Sequence, residues 1–344
     1  EGLLCGAVLG STDAASVFSI LRARKLALKE NTDSLLEVES GSNDPFAYML
    51  TAVLLTAMES GTTAGSVAGL LARRLLFGLA FGSGVGWLAC KLLHRVPLGN
   101  NGFDTLFVVA VALLSYAAPA ALGGNGFLSV YITGILLGNS EIRNKAVLVP
   151  FFDGVTSMMQ MVLFFLLGLL SFPSQMPAVV GSAAAIAVFL TLVARPAAVF
   201  LLLAPFRGSL GQRVLVSFAG LRGAASIVFA VMTVISPVST DHDLFHIVFL
   251  IVLFSIALQG SLLPLAARRL EMIDAGGDVL KTFTDYVDEA PVQFIQFTVP
   301  AAHPWCGRAV RELTLPPGTI LISLQRGRNS WSPTAAPGWN RATG

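Results

Sequence analysis

Long apolar runs, broken by short polar stretches, fill the first three quarters of the chain. Nine can be placed, near residues 2–21, 40–58, 67–90, 103–121, 125–140, 150–171, 177–205, 211–236 and 244–267. A helix needs about 20 apolar residues to cross ~30 Å of hydrocarbon, so each run predicts a membrane-spanning helix; the run at 125–140 is short, and its ends are soft. Beyond about residue 270 the pattern changes. Alternation at 292–299 and 319–325 predicts strands, a stretch GRAVREL (307–313) between them predicts a short helix, and Pro316-Pro317-Gly318 predicts a turn. The chain therefore divides into a transmembrane part, 1–270, and a small soluble part, 271–344.

Composition agrees with this reading. Charged residues make up only 12% of the chain and mean hydropathy is +0.74, against about 25% charged in ordinary soluble domains. The first run starts at residue 1 with neither Met nor a basic stretch ahead of it, so it is not a signal peptide, and further spans are expected upstream of it. Lys and Arg recur in alternate loops: Arg22, Arg24, Lys25 and Lys29; Lys91 and Arg95; Arg143 and Lys145; Arg207 and Arg213; Arg268 and Arg269. Basic loops stay cytoplasmic, which predicts an external start for the first span and a cytoplasmic C-terminal part. Arg73 and Arg74 fall inside the third run and fit only as side chains snorkelling to the outer interface. Cys5, Cys90 and Cys306 lie far apart, give no metal spacing and read as small filler.

Charges within spans carry the chemistry, because a charge at the bilayer centre costs roughly 2.5–3.5 kcal/mol on insertion scales and so lines a cavity, pairs or serves a pathway. Asp13, Glu39, Asp44, Arg195 and Arg222 are the candidates. In ESGSNDPF (39–46), Ser40 and Asp44 are four apart and share a helix face, while Glu39 and Asn43 form a second pair turned by about 100°. Pro45 has no N–H to give the Gly41 carbonyl, and Gly41 weakens the helix further, so a loosened turn suited to coordinating a hard cation is expected beside Asp44. GSTDAASVF (10–18) in the first span aligns with GLRGAASIVF (220–229) in the eighth, sharing Gly and Ala-Ala-Ser at the same offsets. The two spans run in opposite directions, as inverted-topology repeats with broken helices require. Two half-helix N-termini would then meet, and Asp13 can neutralise their positive ends; Gly223 stands opposite Asp13, and Arg222 opposite Thr12.

STDAASVFSIL (11–21), LEVESGSNDPFAYMLT (36–51) and GLRGAASIVFAV (220–231) together resemble the monovalent cation:proton antiporters of the sodium/proton exchanger superfamily, in its NhaP-like branch. The tail after 270 resembles the C-terminal ligand-binding (TrkA-C-like) module of potassium-conductance regulators. The resemblance covers most of the chain. It implies an all-α polytopic membrane protein with the inverted-repeat antiporter fold and crossed broken helices, carrying a small α/β cytoplasmic regulatory domain. It also implies about thirteen spans, of which these would be the last nine. Asp44 would be the carboxylate that takes either a proton or the transported K+ or Na+, with Asp13, Thr12 and Ser40 completing the ion site. Glu39 would pair with Arg222 to brace the crossing, and Asn43, where electrogenic relatives have a second Asp, would mark electroneutral exchange. Arg195 reads equally as a further ion partner or as structural. The resemblance further implies a homodimer in lipid, in the bacterial inner membrane, acting in ion, pH and volume homeostasis, with a small-molecule ligand at the C-terminal module. Neither a cofactor nor nucleic acid is expected.

Competition at one buried acid gives the mechanism, because proton and cation exclude each other there and alternating access turns exclusion into exchange. Potassium is favoured over sodium only through the tail. An inverted-repeat symporter of organic anions, or a potassium channel with a regulatory domain, would share the topology, although the chain has no TVGYG-like filter. No GxxxxGK[ST], HExxH or G-x-S-x-G motif supports an enzyme. After Arg328 the strand pattern is expected to break. Read one nucleotide out of frame, the run from Trp331 resembles the usual close of the regulatory module, so a shifted frame is expected there.

Overall fold

The computed structural model describes residues 1–274, except 25, 62, 96–100, 141, 143–144, 207 and 239, together with 324–326 and 329–331. In chain order the helices are α1 (Gly2–Val8), α2 (Ala14–Ala23), α3 (Thr32–Ser60), α4 (Ala64–Arg95), α5 (Asn101–Ala121), α6 (Gly126–Gly138), α7 (Lys145–Leu170), α8 (Met176–Phe189), α9 (Arg195–Leu202), α10 (Leu210–Phe218), α11 (Ala224–Ile235), α12 (Leu244–Phe254) and α13 (Ser261–Arg269). Each predicted span has its helical counterpart. The first is broken into α1 and α2, and the eighth into α10 and α11. The seventh and ninth run on as rods in which a π-helical turn, at Leu190–Ala194 and Ser255–Gly260, joins α8 to α9 and α12 to α13.

Among the described residues, five helical segments are long and apolar enough to cross a membrane, and α2, α6 and α11 are apolar but shorter. The outward faces are apolar. On α7, Met161, Phe165 and Leu169 are 71%, 66% and 66% exposed, a surface that water would penalise and hydrocarbon accepts. This is a multi-pass membrane protein.

Close approach of α4 to α6 follows from a glycine at every fourth position. A Cβ on Gly82 would lie 2.7 Å from the Ser129 carbonyl, and one on Gly86 would lie 2.7 Å from Leu136, the small-residue packing that membrane helices use in place of a hydrophobic drive. Three hydroxyls lock the seam: Ser115 bonds Ser129 and Thr133, each at 2.8 Å, and Thr133 donates to the Gly82 carbonyl at 3.0 Å. Arg73, the predicted misfit, lies against Gly123 in the turn between α5 and α6.

Around the broken spans the apolar interior splits into two clusters. One joins Val8 and Leu9 to Ile227, Phe229, Val248 and Ile251, uniting α1, α11 and α12. The other joins Val17, Leu21 and Leu36 to Leu215, Leu263 and Met272, uniting α2, α10 and α13. Each half-helix thus buries its apolar face with a half from the other broken span, and the polar breaks lie between the clusters. At one end of this bundle Ala27–Leu28 (β1) pairs antiparallel with Ile273–Asp274 (β2).

In the separate unit 289–344, Leu324–Arg326 (β3) pairs antiparallel with Asn329–Trp331 (β4). Regular pairing therefore continues three residues past Arg328, where the pattern was expected to stop. The strand expected at 292–299 and the helix at 307–313 lie outside the described residues.

Candidate functional site

Both breaks open one residue before an Ala-Ala-Ser. Asp13 is the N-cap of α2 and Gly223 the N-cap of α11, the two positions that align in sequence. The breaks face one another. Asp13 N–H donates to the Leu221 carbonyl at 2.8 Å, Arg222 Nη1 donates to the Ser11 carbonyl at 2.8 Å, and a Cβ on Gly223 would collide with the Asp13 carboxylate. Only glycine leaves room there for that carboxylate between the two helix starts. Asp13 uses its place as a cap: Oδ1 accepts from Ser16 N–H at 3.0 Å and Oδ2 from Ser16 Oγ at 2.5 Å, which satisfies donors that a helix start leaves open.

Helix α3 runs past the α1–α2 break and fills it with side-chain partners. Ser40 Oγ donates to the Thr12 carbonyl at 2.7 Å and accepts from Ala14 N–H at 3.2 Å. Asn43 closes a ring on Thr12: its Oδ1 accepts from Thr12 N–H at 3.2 Å, and its Nδ2 donates to Thr12 Oγ1 at 2.6 Å. Asp44 Oδ1 accepts from Ser11 Oγ at 2.5 Å. Ser11, Thr12, Ser40 and Arg222 are buried.

Three expectations change. Glu39 pairs with Arg195, not Arg222: the Arg195 guanidinium, at the first position of α9, grips both carboxylate oxygens, one through Nη1 and the other through Nη2 at 2.7 Å. Arg222 braces the crossing through a backbone carbonyl instead. Asn43 does not turn away with Glu39. It lies three residues from Ser40 and joins that residue on Thr12, because i,i+3 neighbours share a helix face as readily as i,i+4 ones. Glu39 alone points elsewhere. Nor does Pro45 interrupt the helix, since α3 is continuous from Thr32 to Ser60. Gly41 serves packing there, for a Cβ on it would lie 2.6 Å from the Tyr131 ring. Asn125 takes up the Pro45 carbonyl, donating from Nδ2 at 2.9 Å while its Oδ1 caps α6 at Leu128 N–H.

Three site residues escaped the sequence reading. Ser11 sits beside the Thr-Asp pair, and a hydroxyl next to a break was its signal. Asn125, a polar residue before a short apolar run, carried the signature of a cap. Gln160 reaches Asp13 from α7, donating from Nε2 to Asp13 Oδ2 at 3.3 Å and to Ser16 Oγ at 3.1 Å; a lone amide in an otherwise lipid-facing helix was the clue. Among the described residues no group of three or more His, Cys, Asp or Glu side chains could hold a resident metal ion.

Comparison with known proteins joins this geometry to a family. The sequence profile of the transmembrane sodium/hydrogen exchangers matches residues 1–269. The K(+)/H(+) antiporter NhaP of Alkalimonas amylolytica is 35% identical over 330 residues, covering 95% of this chain and 57% of that protein. The K(+)/H(+) antiporter NhaP2 of Shewanella baltica is 34% identical over 333 residues, with the same coverage. A low-affinity Na(+)/H(+) antiporter, NhaS1 of Synechocystis, is 27% identical over 297 residues, 78% of this chain and 54% of its own. The chain thus spans less than two thirds of the length of these relatives. In fold it matches the sodium proton antiporter MjNhaP1 from Methanocaldococcus jannaschii, with a TM-score of 0.65 and 21% identity over 78% of this chain and 70% of that one. Since the profile runs through both broken spans and through the carboxylate-bearing α3, the chain belongs to the sodium/hydrogen exchanger family.

Proposed function

We propose that this chain forms the ion-exchanging part of a secondary antiporter that moves K+, or Na+, against H+. The observation that carries the reading is Asp44, a carboxylate on a continuous helix held against a helix break by a single hydroxyl, that of Ser11. A carboxylate offers about four lone-pair positions, so Asp44 keeps oxygen coordination to spare. Ser11, Thr12 and Ser40 add uncharged oxygens of the kind that replace water around a hard cation. Proton and cation compete for that carboxylate, and only the loaded site reorients, so one flux drives the other. No covalent chemistry is required.

Charge supports the cation over an organic anion as cargo. Asp13, Glu39 and Asp44 outnumber Arg195 and Arg222 by one at the crossing, so a proton or a monovalent cation neutralises it whereas an anion adds to the excess. The same balance favours one-for-one, electroneutral exchange with Asn43 as a neutral member of the site. The names of the 34–35% identical relatives favour potassium. Around this core we place a homodimer in the bacterial inner membrane, a role in ion, pH and volume homeostasis, and a cytoplasmic regulatory module of the TrkA-C kind from 271 onward that takes a small-molecule ligand. The test is proton flux in vesicles holding the full chain, followed with a pH dye as KCl or NaCl is added. Cation-dependent flux, larger with potassium, is expected; flux that ignores both cations refutes the reading.

A further inference from the structure

The two carboxylates at the crossing have unequal surroundings. Asp44 accepts from one hydroxyl. Asp13 accepts from three donors: the Ser16 amide at 3.0 Å, the Ser16 hydroxyl at 2.5 Å and the Gln160 amide nitrogen at 3.3 Å. Two of the three lie on its own helix, as any N-cap provides. The third comes from α7, distant in sequence and otherwise turned toward lipid. Gln160 also bonds the Ser16 hydroxyl at 3.1 Å, so a single carboxamide holds both members of the cap.

The place of Gln160 on α7 is part of a pattern. Asp153, Ser157 and Gln160 fall four and three residues apart, on one helical face; Asp153 and Ser157 are exposed, and Gln160 is half-buried. Gln160 is the member of this stripe that reaches the broken span. An amide in hydrocarbon is costly unless it is bonded, and here its donors are spent on the cap.

We propose that Gln160 is a positioning residue of the exchange site: it clamps the Asp13 carboxylate as a fixed negative charge and so leaves Asp44 as the carboxylate that loads and unloads. This rests on the antiport reading and assigns Gln160 a part in it. With three donors on its two oxygens, Asp13 acts on the cation through its charge and through the start of α2, at a distance that the Gln160 bond keeps constant. Glutamine suits the task because it donates without titrating, so the clamp holds whichever ion is bound. Without it Asp13 retains its cap but gains freedom, and the site loses the preorganisation that affinity depends on.

The test uses the full chain reconstituted in vesicles, with potassium as the probe and initial proton flux read against KCl concentration. Gln160→Met keeps length and bulk and removes the donor; Gln160→His restores an N–H at similar reach. Loss of one hydrogen bond to a charged group predicts a KM raised about tenfold in Gln160→Met, with maximal rate within about twofold, and a KM in Gln160→His close to that of the parent. An unchanged KM in Gln160→Met, or a maximal rate lowered equally in both variants, makes Gln160 a packing residue and overturns the proposal. Absence of cation-dependent flux in the parent protein would instead overturn the antiport reading itself.

Discussion

Glu39 and Arg195 meet through both terminal guanidinium nitrogens and both carboxylate oxygens, the forked geometry that makes arginine–carboxylate pairs strong. Arg222, although more deeply buried, binds through a carbonyl. The two arginines therefore differ in what their loss exposes. Arg195→Ala strands the Glu39 carboxylate and should cost about 3 kcal/mol, the lower end for a broken buried pair because Glu39 is partly exposed. Restoring neutrality in Glu39→Gln/Arg195→Ala should recover part of that loss. Thermal unfolding in detergent checks both, and a double variant no more stable than Arg195→Ala would contradict the pairing. The sequence alone marked Glu39 and both arginines as costly in a membrane, but it misassigned the partner. Helical spacing says which face a side chain leaves from, not which of two guanidiniums comes to meet it. Ser11 and Gln160 were missed for a related reason: an uncharged polar residue in a span raises little alarm until its acceptor is known.

At the scale of elements, the crossing depends on small residues at fixed places. Gly41 lets the Tyr131 ring approach α3, its edge 2.6 Å from where a Cβ would be. Gly41→Ala should overpack this contact and destabilise by about 1–3 kcal/mol. Tyr131→Ala made beside it should remove the conflict, so the two changes together should cost less than their sum. Melting temperatures of the four proteins test this, and strict additivity would show that ring and glycine do not press on one another. The helical runs and both breaks could be read from the sequence because apolar length and the repeated Ala-Ala-Ser survive any tertiary context. The π-helical turns at 190–194 and 255–260 could not, since one extra residue in a turn leaves the apolar pattern of a span intact. Pro45 misled for the opposite reason: it was expected to loosen the turn beside Asp44, yet α3 runs on from Thr32 to Ser60.

Over the whole molecule, charge balance governs what transport can do. A crossing that becomes neutral on taking either one proton or one monovalent cation moves no net charge in a complete cycle. Voltage should therefore leave the rate unchanged, whereas one net charge would couple it to ~2.3 kcal/mol per 100 mV. Imposing a potential on vesicles at fixed ion gradients measures this, and acceleration or reversal with voltage would exclude one-for-one exchange. Membrane class was legible from hydropathy. The C-terminal part was legible only as a strand pattern; β3 overlaps its second predicted strand, and β4 lies beyond it. The claim on which the rest depends is that Asp44 is the exchanging group. Asp44→Asn keeps the side chain's shape and removes both the titratable proton and the negative charge, so it tests that claim most directly. In vesicles holding the full chain, the account predicts a folded variant with cation-dependent proton flux reduced to the level of protein-free vesicles; flux persisting at the parental rate would contradict it.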